Sequence, residues 1–533
     1  MEQSLLTSSL QNISFGIVLQ IIVRVITFLS NACVLRYISP DALGLMNVRL
    51  LLLESTILFV SREAFRKSTL DDVRNHNWPL VINLIWITLP ISVLISVVLG
   101  HVWLDMLEAP PPHLQSQYVT GVWVMALSCI IESTCEAPLL VANAFLFNKL
   151  KVALNLLHIG LRTLVFLPLV LCSPSNSVHA FSAAQAVGTL TLVLGYYGYF
   201  YHYLRTPHKG FPFKSIRDFL PRFDLQQWIH RPLAWLTWSL FKTMAVKQLL
   251  TEGERYVMTI SGVLSLTQQG VYETVNNLGT LPARLLFRPI EESCYFYFAQ
   301  LFRRGEQVSK LNKDHMEEAS KLLFYAMRCT VVFGLTVMAF GFSYSRLLLF
   351  LYGGESLATD TGTVLLRAHC TVILFLAING ITEAFGQSAM SKEQLSWYNY
   401  SMVLLSVAFL VISWALTYLL GGLGFILANC CNMATRICCS LKFMYELYDG
   451  SKWQPLKGLL PGPLIVTALA VSFLITNFSE SLYFDENKLV HLMIGACCGL
   501  FSVAVFFYEE KELFKIICAK LGIDKRFAHE KDD

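Results

Sequence analysis

The chain has 533 residues, of which 55% are hydrophobic and only 15% charged, with a formal net charge of +4. Soluble domains carry roughly 25% charged residues, and a mean hydropathy of +0.53 over this length is far more apolar than one aqueous core requires. The composition excludes a single soluble domain, makes lipid the main solvent, and gives no reason to expect nucleic acid as a partner.

A bilayer is crossed by about 20 apolar residues. On that measure the sequence predicts an all-α polytopic membrane protein with about fourteen transmembrane helices. In chain order they fall near 14–36, 44–62, 79–103, 118–141, 151–172, 179–203, 239–261, 270–301, 320–345, 363–389, 396–420, 422–446, 459–478 and 489–508. The seventh and eighth are interrupted by polar residues. Residues 1–13 lack the basic stretch of a cleavable signal, so the first apolar segment is expected to remain as a helix.

Loop charge predicts orientation, because Lys and Arg near helix ends stay on the cytosolic side. One set of loops carries Arg62, Arg66, Lys67 and Arg74, then Lys149 and Lys151, then a basic stretch from Arg205 to Arg231. The same side continues through Arg303, Arg304, Lys310, Lys392, Lys452 and Lys457 to a basic tail ending at Lys531. The opposite loops offer little beyond Arg36, Arg346 and Lys488. Both termini are therefore expected in the cytosol. The Asn477-Phe478-Ser479 sequon falls on the other side but abuts a helix end, so weak or no glycosylation is expected there.

Three short matches recur in the two halves, in the same order. Ser39–Gly44 corresponds to Ser265–Gly270, Glu136-Ala137 to Glu383-Ala384, and Ala180–Gln185 to Gly424–Asn429. They predict a parallel repeat of two six-helix lobes, as in transporters whose halves are related about the membrane normal. The expected organisation is an N-lobe at 1–204, a cytosolic basic linker at 205–238 and a C-lobe at 239–446. An extra helix pair at 447–508 and a cytosolic tail at 509–533 follow. Such a design puts a cavity between the lobes.

The fourteen Cys show no metal-ligand spacing, and those in apolar runs read as helix-packing residues. The informative feature is charge inside the spans. Each Arg at the bilayer centre costs at least about 2.5–3.5 kcal/mol, so Arg24, Arg49, Arg162, Arg255, Arg284 and Arg288 must face a partner or a wet cavity. In the eighth helix, Arg284, Arg288, Glu291 and Glu292 share one face, Pro282 and Pro289 free backbone carbonyls, and Asn276 and Asn277 extend the polar character. Two readings stand: interhelical ion pairs that fix packing, such as Glu254 with Arg284, or a solvated cationic chamber. For Arg62, Arg66 and Lys151, at helix ends, simple snorkelling to the interface competes with a ligand role. Arginine in preference to lysine favours phosphate, because the guanidinium fork matches its oxygens bidentately. A lipid with an anionic phosphate or pyrophosphate head group is the cargo this chemistry suggests.

Several segments are also similar to the "requiring fifty-three" family of endoplasmic-reticulum membrane proteins. They are Leu249–Met258, Gly270-Val271-Tyr272, Asn276–Gly279, Pro289–Ser293, Leu351–Gly354, Ile378–Glu383, Arg24–Phe28, Leu35-Arg36-Tyr37 and Arg62–Arg66. The resemblance covers nearly the whole chain. It implies membership of the multidrug/oligosaccharidyl-lipid/polysaccharide exporter superfamily. It further implies movement of a dolichol-pyrophosphate-linked oligosaccharide from the cytosolic to the lumenal leaflet, for protein N-glycosylation. Cationic residues on the first, second and eighth helices hold a lipid pyrophosphate in superfamily relatives, which points here to Arg24, Arg49, Arg284 and Arg288.

The candidate substrate-binding set is Arg24, Arg36, Arg49, Arg62, Arg66, Lys151, Arg162, Arg255, Arg284 and Arg288. Glu254, Asn276, Asn277, Glu291 and Glu292 are its supporting polar residues. A flippase or scramblase is the leading expectation. A non-transporting scaffold or chaperone for the same lipid is the alternative. Cation-coupled drug export suits a basic chamber poorly. A glycosyltransferase would rest on Asp105 and Glu108, which Pro110-Pro111-Pro112 follows with no large lumenal domain behind it. The sequence holds no phosphate-binding glycine loop of the G-x-x-x-x-G-K-[ST] type, which argues against direct ATP coupling. No cofactor or metal is expected.

Overall fold

A computed structural model describes residues 28–70, 76–206, 211–223, 227–302, 313–449 and 454–511. All regular structure among these residues is helical. The helices used below are α1 (Pro40–Thr69), α2 (Trp78–Met106), α3 (Pro112–Ser133), α4 (Glu136–Ala144), α5 (Asn148–Cys172) and α6 (Ser177–Tyr203). After the linker come α7 (Arg231–Ser261), α8 (Leu266–Gly279), α9 (Arg288–Leu301), α10 (Lys313–Gly353) and α11 (Asp360–Ala389). The chain continues with α12 (Lys392–Leu420), α13 (Gly422–Tyr448), α14 (Pro463–Tyr483) and α15 (Lys488–Glu509).

Eleven of these helical stretches are long and apolar enough to cross a membrane. They coincide with the expected spans except the first, seventh and eighth. The seventh and eighth fall on α7 and on α8 with α9, which are helical, rich in polar residues and, for α8 and α9, only 14 residues each. The first lies largely outside the described residues, with 28–35 helical.

Local chemistry sets many of the boundaries. Ser39 accepts from the Ala42 N–H at 3.4 Å, with Pro40 as the first residue of α1. Ser391 and Gln394 form a reciprocal capping box on α12. Between α12 and α13, Gly421 takes φ 60° and ψ −143°, a backbone region that an L side chain does not tolerate.

The chain forms two compact units, Met1–Glu273 and Thr274–Asp533. In the N-terminal unit α6 packs on α3 and α5, and α2 packs on α3. An aromatic cluster closes one end of it, where Trp78, Phe145, Phe147 and Phe200 meet Phe211, Phe213 and Phe219 from the linker. The repeated motifs meet in this unit. Gly44 lies against the backbone of Leu266 and Gly270, and Gly270 against Pro40, so closely that a Cβ on either glycine would overlap main-chain atoms. The Thr267 hydroxyl donates to Asp41 Oδ1 at 2.5 Å across the same crossing.

The C-terminal unit is built on α11, which packs against α9, α10 and α13. Its core includes Phe298, Leu323, Met327, Phe385 and Met444, all essentially inaccessible. The pair α14–α15 joins α10 through buried polar contacts: the Thr476 hydroxyl donates to Ser343 Oγ at 3.0 Å, and the Tyr344 hydroxyl to the His491 carbonyl at 2.6 Å. Such side-chain bonds suit a medium in which few alternative partners exist.

Candidate functional site: the membrane-embedded arginines

Among the described residues the backbone widens to a π-helical turn four times, at Leu45–Leu50, Phe59–Glu63, Val102–Met106 and Ala283–Phe287. Three of the four carry one candidate arginine: Arg49, Arg62 and Arg284. A π-turn re-aims the side chains around it and is frequent at functional positions. Hydropathy carries no signal for it.

Arg62 and Arg66 lie one turn apart on α1 and share an acidic clamp. Arg62 Nη1 lies 2.6 Å from Glu132 Oε1 and 3.0 Å from Glu136 Oε1. Arg66 grips Glu136 with two bonds, Nε to Oε2 at 2.7 Å and Nη2 to Oε1 at 2.6 Å. Glu136 is 1% exposed. Two cations and two anions close this network, which joins α1 to the end of α3 and the start of α4. Both arginines are thus engaged by protein carboxylates in this conformation.

Arg49 is held differently. It is 1% exposed, and its Nη1 donates to the Glu108 carbonyl at 2.5 Å. Its guanidinium stands 5.9 Å from the centre of the Tyr118 ring. Its own carbonyl accepts from Trp103 Nε1 at 3.0 Å. Among the described residues no carboxylate pairs with it, and its Nε has no hydrogen-bond partner. Arg162 on α5 lies over the Phe181 ring at 4.9 Å and is attracted electrostatically to Glu54, which accepts from Gln185 Nε2 at 2.6 Å. Lys151 is half-buried at the start of α5, and Arg36 is exposed just beyond the helical stretch 28–35. Arg24 lies outside the described residues.

Arg255 on α7 bridges Glu252 at 3.1 Å and Glu273 at 2.5 Å. Glu254 accepts from the Tyr272 hydroxyl at 2.6 Å. A polar seam then runs from α7 to α1: Gln248 donates to Ser55 at 3.0 Å, Ser55 to Glu252 at 3.3 Å, and Tyr256 meets Thr56 at 2.7 Å. Sequence reasoning did not single out this seam. Its signal was the spacing of Gln248, Glu252 and Tyr256, four residues apart and therefore on one face.

In the C-terminal unit Arg284 and Arg288 are both exposed. Arg284 Nη2 donates to the Asn277 carbonyl at 2.5 Å and to Thr280 Oγ1 at 3.0 Å, where α8 ends. Asn276 is half-buried and Asn277 exposed. The Asn276 carbonyl accepts from the Thr280 hydroxyl at 2.7 Å. Arg288 Nε lies 3.2 Å from Glu292, with 74% and 62% of the two side chains accessible. Glu291 points elsewhere, its carboxyl filling the space above Gly380 on α11. The four residues expected on one face of the eighth helix therefore divide: Arg284, Arg288 and Glu292 are exposed, while Glu291 packs inward.

Two further charged pairs fix this unit. Arg436 on α13 holds both oxygens of Glu383 at 2.8 and 2.7 Å, and Asn379 and Gln387 donate to the same carboxylate. Arg367 pairs with Glu480 on α14 at 2.7 Å. Here, as at Arg62 and Arg66, the ion-pair reading of membrane-embedded charge describes the geometry.

A family profile described as "Rft-1: Rft protein" matches residues 8–520. The chain is 43% identical over 527 residues to the Man(5)GlcNAc(2)-PP-dolichol translocation protein RFT1 of Xenopus tropicalis, covering 97% of this chain and 98% of that one. It is 40% identical over 529 residues to the protein of the same name in Mus musculus, with 98% of each chain covered. Among solved structures, the lipid II flippase MurJ in an inward closed conformation superposes with a TM-score of 0.60 at 12% identity, over 93% of this chain and 99% of that one. An inward-facing multidrug-resistance MATE transporter of the MOP superfamily gives 0.55 at 12% identity, over 80% and 95%. At that identity the likeness establishes the fold alone, which is of the MOP transporter type.

Proposed function

The chain belongs to the Rft protein family, and from that premise we propose that it moves a dolichol-pyrophosphate-linked oligosaccharide from the cytosolic to the lumenal leaflet. It is a multi-pass protein of the endoplasmic-reticulum membrane, and the transport serves protein N-glycosylation. The observation that carries this reading is the end-to-end match to relatives named as translocation proteins for Man(5)GlcNAc(2)-PP-dolichol. The finer topology belongs to the same proposal: fourteen spans, both termini cytosolic, lobes at 1–204 and 239–446, and the additional pair at 447–508.

The residues proposed to meet the pyrophosphate divide by what they must give up. Arg284 and Arg288 hold contacts close by in their own chain and are exposed, so exchanging those contacts for phosphate oxygens costs little. Arg49 has a buried guanidinium with an unpartnered Nε, suited to a bidentate anion once its surroundings open. Arg62 and Arg66 must release Glu132 and Glu136 before they can hold a ligand. Arg24, Arg36, Lys151, Arg162 and Arg255 complete the proposed set, with Glu254, Asn276, Asn277, Glu291 and Glu292 positioning its members. The proposed role is transport, with no catalytic group and no cofactor.

Reconstitution tests this directly. Purified chain in liposomes should move a labelled dolichol-pyrophosphate oligosaccharide between leaflets. Failure by folded protein that still binds the lipid would leave the scaffold reading. Arg24→Ala should cripple glycosylation in cells without lowering protein abundance. Disappearance of the protein would assign that residue to packing.

A further inference from the structure

Between α6 and α7, residues 211–223 and 227–230 form a strap held by buried contacts. Phe213 and Phe219 stack at 5.0 Å and are 5% and 0% exposed, sunk into the aromatic cluster that ends the N-terminal unit. Asn83 on α2 clasps the strap three times. Its Nδ2 donates to the carbonyls of Arg222 at 2.7 Å and Trp228 at 3.0 Å, and its Oδ1 accepts from the Arg222 N–H at 2.8 Å. Trp86 Nε1 adds a bond to the Phe219 carbonyl at 2.7 Å. Ser215 and Asp218 close a capping box on the short turn Ile216–Phe219, and Arg222 pairs with Asp218.

The outer side of this strap has the opposite character. Leu220, Phe223 and Trp228 are exposed, with Phe223 and Trp228 stacked, and the first two turns of α7 add exposed Trp235 and Trp238. Lys214, Arg217, Arg231 and Lys242 stand exposed among them. From 204 to 242 the sequence carries seven Lys and Arg against two acids, Asp218 and Asp224, and Arg222 pairs with Asp218. Large aromatics held toward solvent on a rigid frame mark a contact surface. Tryptophan interleaved with arginine and lysine, beside the end of a membrane-spanning helix, fits the head-group layer of a bilayer.

We propose that the strap, residues 211–223 and 227–238, is an interfacial anchor for anionic lipid. Its occupant is the bilayer that α6 already crosses. The strap adjoins that span where Phe211 meets Tyr203 and runs into α7 at Arg231, and its charge complements lipid phosphate. Leu220, Phe223, Trp228, Trp235 and Trp238 lie at head-group depth, and Lys214, Arg217 and Arg231 bond the phosphates of acidic lipids. Asn83 and the buried phenylalanines pass this attachment rigidly to α2 and the aromatic cluster. The inference is independent of the identity of the cargo.

The test uses the full chain in nanodiscs containing lipids brominated near the acyl carbonyl. Subtracting the signal of the Trp228→Phe/Trp235→Phe/Trp238→Phe variant isolates three tryptophans. Brominated phosphatidylserine should quench that difference signal about twofold more than brominated phosphatidylcholine. Lys214→Gln/Arg217→Gln/Arg231→Gln, which leaves the inward face intact, should abolish the excess. Equal quenching by the two lipids overturns the proposal. So does shielding from aqueous acrylamide that is seen in native microsomes and absent in lipid discs, since a protein partner then covers the strap. Should the tryptophan variant fail to fold, the charge variant read on total quenching tests the same point: an unchanged ratio between the two lipids overturns the proposal.

Discussion

Two groups of candidate arginines, Arg62, Arg66 and Arg255 in the N-terminal unit and Arg284 and Arg288 in the C-terminal unit, sit in contrasting surroundings. In the N-terminal unit, Arg62 and Arg66 are locked to Glu132 and Glu136 across three helices, and Arg255 to Glu252 and Glu273. In the C-terminal unit, Arg284 and Arg288 are exposed and bond to nearby groups of their own chain. The same side chain in the same solvent thus does two jobs. Where a carboxylate from another helix meets it, the pair resists dissociation, because separating it leaves a charge without water. Where its contacts are local, the guanidinium can exchange them for a ligand at little cost to the fold.

The sharpest way to break this contrast is to remove the shared anion. Glu136→Ala strands Arg66, leaves Arg62 with Glu132 alone and should cost about 3–5 kcal/mol, read as lost monodisperse protein in detergent chromatography. Survival at wild-type level would show that the clamp is not structural. Arg49→Ala removes the bond to the Glu108 carbonyl and should cost about 1.5–3 kcal/mol, seen as a lowered midpoint of thermal unfolding. Gly380→Ala forces Glu291 out of its place and should destabilise by about 1–3 kcal/mol, with Glu291→Ala in the same chain restoring most of the loss. Arg284→Ala/Arg288→Ala should change stability by less than about 1 kcal/mol, while reducing affinity for a dolichol pyrophosphate about tenfold or more. A large stability loss with unchanged affinity would reverse the assignment of the two arginine classes. Glu292→Gln should be the smallest effect, within about 0.5 kcal/mol, because its pair with Arg288 is exposed and screened.

Much of the helical layout was legible in the chain. Windows such as 79–103 and 396–420 are apolar around the whole helix, which a bilayer requires and little else does. The seventh and eighth spans were harder to read for the same reason reversed. Gln248, Glu252, Glu254 and Arg255 lower the hydropathy of α7, yet Ser55, Tyr272 and Glu273 on other elements are among their partners, and hydropathy counts residues without seeing partners. The Ser39–Gly44 and Ser265–Gly270 motifs were visible as a repeat. That their glycines touch was not, since close approach is a property of two backbones together.

Candidate site residues were legible by type and only partly by role. The spacing of Arg284, Arg288, Glu291 and Glu292 marked one helical face, yet the π-turn at Ala283–Phe287 and the fit of Glu291 over Gly380 divide that face. Arg62 and Arg66 looked like ligand residues or snorkelling ends. Glu132 and Glu136, some seventy positions away, make them a clamp.

Composition and periodicity by themselves determined a membrane-embedded all-α chain, because transfer of each apolar residue to lipid is a local free energy that sums along the sequence. The tertiary structure alone decided which charges are neutralised and which stay available. Electrostatic energy depends on the distance between groups and on the water between them, and both are set only when the helices pack.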